Sequence, residues 1–275
     1  MTAPVGLNPT TPAPPRNTVT AFGGSPLHEA KSLLRPCLPR GHYGKPLNSL
    51  PEPLESLVGR KVTLAGPQIA AYLQKAKVSD RDLGGPLAST LPKVRYFVIH
   101  DTSSMLGAGV SSFPSDINTL GWAKNSRQSL QAYRDAHVFI SRVGTSFTAH
   151  DFSIAYSATK FTMHQSPSLK EKFCHVELIQ PRLNHNGSDW QAPSPGFPDI
   201  QLERLALVYV IASARHDEWL IPAYHHNVDM GLPAHDDPQN FDLSEWAQAL
   251  EGLINDILGV PRVGDFPAGR GDSAG

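Results

Sequence analysis

The stretch VRYFVIHDTS, residues 94–103, is an apolar, β-branched run of strand length that passes directly into polar residues. Unbroken apolarity, without the alternation of a half-exposed strand, marks a strand buried on both faces. Such a strand delivers the side chain at its end, here His100, to the mouth of a site. Two further runs share the texture: AHVFISRVG from Ala136, which closes on Gly144, and FCHVELIQ from Phe173. WLIPAYHH, ending in His225 and His226, reads as a fourth strand.

Between the strands the apolar period changes to that of a helix. Ile69, Ala70, Leu73 and Ala76 predict a short helix over Gly66 to Lys77. Leu202, Leu205, Ala206, Tyr209 and Val210 form one face of a longer helix from Gln201. The segment from Asp242 to Leu258 places Trp246, Leu250, Ile254 and Ile257 on one stripe, opened by Asp and Ser and closed by Gly259. The mixture predicts an α/β domain with a central mixed β-sheet flanked by helices, over residues 93–262. Residues 1–60, dense in Pro and Gly, read as a Pro-rich N-terminal extension that resists regular structure, with a short helical lead-in over 61–92 and a flexible tail over 263–275.

Composition narrows the function. The 275 residues carry 24 Lys and Arg against 25 Asp and Glu, so no net field draws in a nucleic acid or an anionic membrane surface. No run approaches the roughly 20 apolar residues of a membrane span. The N-terminus lacks the basic start and apolar run of a secretory signal. Cys37 and Cys174 are too far apart in sequence to imply a disulfide, and no GxSxG elbow supports a serine hydrolase. Histidine is the unusual component: ten of the twelve lie from His100 onward, and neutral imidazole is a common zinc ligand.

A catalytic zinc site needs three protein ligands and an open position, usually supplied from separate strand ends and loops. Three segments offer suitable groups: His100 at the end of its strand, His225 or His226 at the end of WLIPAYHH, and Asp237 in HDDPQNFD. Asp237 before Pro238 is equally the start of a turn on spacing alone.

These segments resemble the zinc-dependent N-acetylmuramoyl-L-alanine amidases, which include amidase-type phage lysozymes, muropeptide-recycling amidases and peptidoglycan recognition proteins. The likeness covers Val94 to Leu258. FVIHDTS resembles the family's IVIHHT and puts His100 on the first zinc ligand. HVFISRVG is similar to HFLIxRDG, with His137 at the corresponding histidine. TMHQ stands where the family has WHAG and brings His164 near the cleft, without the tryptophan and glycine. CHVEL resembles IGIEL and maps Glu177 onto the acidic residue that activates the water. YHHNV followed by HDDPQNFDL resembles GHSDI followed by KTDPGPAFDW, which makes Asp237 the third ligand. His225 is favoured as the second, because His226, Asn227 and Val228 repeat the polar, polar, apolar order after it; His226 gives the closer loop length.

The resemblance implies an amidase-type fold, Zn²⁺ as cofactor and peptidoglycan or muropeptide as substrate. Hydrolysis would break the amide bond between N-acetylmuramic acid and L-alanine, with Glu177 as general base. His235 stands where the family has a catalytic lysine; an unperturbed histidine, with a pKa near ~6.5, is charged only in part at neutral pH. His175 shares the strand face of Glu177 and would line the cleft or orient that carboxylate. A structural role for Glu177, paired with Arg182 or a lysine, is the competing expectation. The other functional expectation is a peptidoglycan-binding module of the same fold without catalysis. Without an export signal, the setting would be phage lysis, cytoplasmic recycling, or delivery into rival bacteria's periplasm, the last implying an immunity protein as partner.

Overall fold

The computed structural model of the protein describes residues 22–38, 42–183, 191–232 and 236–260. His235, residues 1–21 of the extension and the tail over 263–275 lie outside the described residues.

Five strands form the central sheet: β1 (Tyr96–Asp101), β2 (Val138–Ile140), β3 (Ser146–Thr148), β4 (Phe173–Leu178) and β5 (Ile221–Tyr224). Their order is β3-β2-β4-β1-β5. The hairpin β2–β3 is antiparallel and the other pairings are parallel, so the sheet is mixed. All six residues of β1 are buried, as its unbroken apolar run predicts. Gly144, in the β2–β3 turn, adopts φ 74°, and a side chain there would collide with Ile200.

Helices α2 (Gly66–Ala76), α3 (Asp199–His216) and α5 (Leu243–Leu258) fall where the periodicity places them. Helix α3 lies on the Phe97 side of the sheet, with Tyr209 edge-on to Phe97 at 5.1 Å. Helix α5 packs on α3 through Trp246, 5.4 Å from Tyr209. Asp242 caps α5 by accepting the backbone N–H groups of Ser244 and Glu245, and Gly259 ends it with φ 70°. Among the described residues no helix is long and apolar enough to cross a membrane.

Two expectations change. The described residues 22–38 and 42–60 do not form a loose extension: α1 (Pro26–Leu33) is capped by Ser25 and packs on β5. Its Ala30 and Leu33 join the main core, and Tyr96, facing away from α3, donates to Glu29 of this helix at 3.1 Å. A proline is well placed at the first helical position, so the local Pro content here starts a helix instead of preventing one. The strand read from WLIPAYHH stops at Tyr224, and His225–Val228 turn into a four-residue helix, α4.

Candidate metal centre

Parallel strands β4, β1 and β5 end together, so their C-terminal edge collects side chains from distant parts of the sequence. His100 stands near the end of β1, directly opposite Glu177 on β4. His225 starts α4 where β5 stops. Asp237 comes from the following loop, which is tied to the strand edge: its carbonyl accepts His226 N–H at 3.0 Å, and Gln239 N–H donates to Asp101 at 2.9 Å.

One ligand atom each from His100, His225 and Asp237 lies within 4.8 Å of the others, and all three residues are buried. His225 Nδ1 is 2.9 Å from Asp237 Oδ2, and His100 Nδ1 is 3.9 Å from the same oxygen. Two imidazoles and a carboxylate suit zinc by donor type. The electrostatics agree. Burial alone would lower the proton affinity of His225, yet Asp237 on one side and Asp229 on the other hold its pKa up to about 10. Without metal, the site thus keeps a proton between two acids, a place where a divalent cation can substitute for positive charge.

The outer nitrogens of both histidines are also held. His225 Nε2 lies 3.0 Å from Asp229 Oδ2, a carboxylate–histidine arrangement that fixes ring orientation. Asp229 accepts the Lys160 and Phe161 backbone N–H groups as well, at 3.0 and 2.8 Å. His100 Nε2 lies 3.0 Å from His175 Nδ1. Asp229 carries no role in the sequence reading, which sets the ring of His175 beside Glu177 and not behind His100. For Asp229 a signal existed, since it stands four residues after His225 and one helical turn brings such residues together.

Glu177 sits beside the three groups, with Oε1 3.7 Å from His100 Nδ1 and the side chain 12 % exposed. Burial, then the neighbouring Asp237 and Asp135, push its pKa well above the usual carboxylate value. Its Oε2 has no hydrogen-bond partner among the described residues. Arg182 does not pair with it; the guanidinium instead binds Asp101 at 2.8 Å and Asp236 at 2.5 Å. Glu177 is therefore not neutralised by Arg182; its basic neighbours are His100 and His225, and a carboxyl of raised proton affinity beside them is the arrangement expected of an acid–base group.

His226 stays out of the cluster and stacks on Tyr43 at 4.1 Å between ring centroids. His137 is fully buried: its Nε2 lies 2.9 Å from the Ile154 carbonyl, and burial drops its pKa to about 4. It accepts the His175 backbone N–H at 3.1 Å, so it braces β2 against β4 and lines no cleft. His164 is exposed in the Phe161–Gln165 turn and is not among the converging groups. His175, expected to line the cleft or orient Glu177, instead lies behind His100.

A cavity of about 650 Å³ adjoins this edge, lined by Cys37, Tyr224, Pro238 and Phe241 among others, but the three ligand candidates do not line it. Burial and the nearby Asp236 and Asp237 push the Cys37 thiol up to about 12, and burial raises that of Cys174. Neither supplies a ready thiolate nucleophile. Comparison with models of known protein families, with curated proteins and with solved structures returned no match.

Proposed function

We propose that this chain is a zinc-dependent N-acetylmuramoyl-L-alanine amidase, with the amidase-type fold that its motifs resemble. One observation carries the reading. His100, His225 and Asp237, drawn from segments spread over half of the sequence, converge at one sheet edge with Glu177, which Arg182 does not neutralise, beside them.

A zinc ion held by His100, His225 and Asp237 would supply Lewis acidity, which can lower the pKa of water from 15.7 to about 7 and polarise a carbonyl. Glu177 takes the proton from the attacking water and returns it to the departing amide nitrogen of L-alanine. Its raised proton affinity suits this work, because a base must hold the proton until the leaving group needs it. His235 provides a hydrogen bond to the carbonyl oxygen as negative charge develops there. Asp229 and Arg182 keep the ligand loops in place, the first through His225 and the second through Asp101.

Purified protein incubated with peptidoglycan is expected to release free stem peptides, to stop when a chelator is added and to resume with zinc. Glu177→Gln is expected to retain zinc and lose about 10²–10⁴-fold in turnover. Binding of peptidoglycan without release would leave a recognition module instead, and substantial turnover by the Gln variant would remove Glu177 from the proton path.

A further inference from the structure

Behind the two histidine ligand candidates stand different acceptors. His225 is backed by a carboxylate, the common arrangement, whereas His100 is backed by a second imidazole. That imidazole belongs to His175, two residues before Glu177 on β4, and it is fully buried. In the amidase pattern quoted above, glycine occupies this place.

The pairing fixes hydrogen positions. His100 turns Nδ1 toward Asp237 and Glu177, so its metal-binding lone pair is on Nδ1 and its proton on Nε2. Nε2–H then donates to His175 Nδ1 at 3.0 Å, which requires His175 to carry its own proton on Nε2. His175 Nε2 is buried, and the Tyr156 backbone is the further group that favours a proton on this ring, while Nδ1 is directed at His100. The rest of the ring is locked by stacking, 18° from coplanar with His137 and 9° from coplanar with Phe173.

We infer that His175 is a positioning residue, which holds His100 in the tautomer and orientation that present Nδ1 to the metal. The inference rests on the metal-centre reading above, and deepens it by assigning a residue that touches neither metal nor substrate.

His175→Phe keeps a ring to stack and removes the acceptor; His175→Gln restores an acceptor without the ring. Zinc affinity measured by competition with a chromophoric chelator is expected to fall about 10–100-fold in the Phe variant and to recover at least half of that loss, on a logarithmic scale, in the Gln variant. The melting temperature of both proteins without metal reports on folding independently. Histidine nitrogen NMR of the wild-type zinc protein is expected to show metal on His100 Nδ1 and protons on Nε2 of both rings. Unchanged affinity in a folded Phe variant, or metal on His100 Nε2, overturns the inference while the metal centre stands. Failure of the wild-type protein to take up zinc overturns both. Should the Phe variant not fold, the wild-type nitrogen spectrum decides alone.

Discussion

Replacing Asp229 by Asn changes one atom and disturbs three contacts. Oδ2 accepts from Lys160 N–H and from His225 Nε2, both at 3.0 Å, and Oδ1 accepts from Phe161 N–H at 2.8 Å. The Asn amide group donates, so in either orientation at least one of these donors faces another donor. Hydrogen bonds to charged groups contribute about 1.5–3 kcal/mol, and a buried donor left without a partner costs about 1–3 kcal/mol. The remaining bonds also fall from charged to neutral strength. Together these effects destabilise the metal-free protein by roughly 2–4 kcal/mol. In the zinc-loaded protein a second loss adds to the first. Weakening the acceptor behind His225 lowers zinc affinity about 10–100-fold, which removes roughly a further 1.4–2.7 kcal/mol at saturating metal. Urea unfolding with chelator and with excess zinc separates the two contributions. A variant whose metal-free stability lies within about 0.5 kcal/mol of wild type would refute the three-contact accounting. Equal losses with and without zinc would refute the coupling to His225.

The remaining expectations concern assignment, packing and pH. His225→Ala should abolish stoichiometric zinc uptake by elemental analysis, whereas His226→Ala should retain it; the reverse would move the second ligand by one position. Leu33→Ala should cost about 2–5 kcal/mol in urea unfolding, because Leu33 is fully buried, and a loss below about 0.5 kcal/mol would return α1 to the status of a loose lead-in. Burial alone would raise the pKa of Asp151, but the Ser153 N–H and the Arg215 guanidinium outweigh it and lower the value. A carboxylate depressed in the folded state stabilises above its unfolded pKa, near ~3.9, and that contribution fades as pH falls through the folded value. Asp151→Asn should therefore lose stability at pH 6 and approach wild type near pH 2; an equal deficit at both would remove the ion pair as the cause.

Much of the site was legible because buried parallel strands write themselves as unbroken apolar runs. VRYFVIH and FCHVELIQ end at the same sheet edge, and the resemblance to the amidase motifs singled out His100 and Glu177, which the fold brings beside each other. The preference for His225 also matches the residue that the fold brings to Asp237. What was not legible has physical causes. The period of a strand was extended through His225 and His226, and this hid the one-turn helix that aligns His225 with Asp229. The Pro and Gly content of residues 22–60 masked α1, whose stability comes from packing on β5, a contact with residues nearly two hundred positions away. His175 was read on the correct face, but whether a ring lies beside a ligand or behind it depends on the stagger between neighbouring strands.

The parallel arrangement of β1, β4 and β5 also sets when the pocket for the cation comes into being. His100 and Asp237 stand about half the polypeptide apart, and no local hairpin or single crossover brings them together. His100 can meet the neighbouring His225 and Asp237 only after residues through Asp237 have been made and β5 has docked beside β1. Any metal ion that His100, His225 and Asp237 hold would thus find an assembled sheet, and its capture would act as a latch on the completed architecture instead of a seed around which the protein condenses.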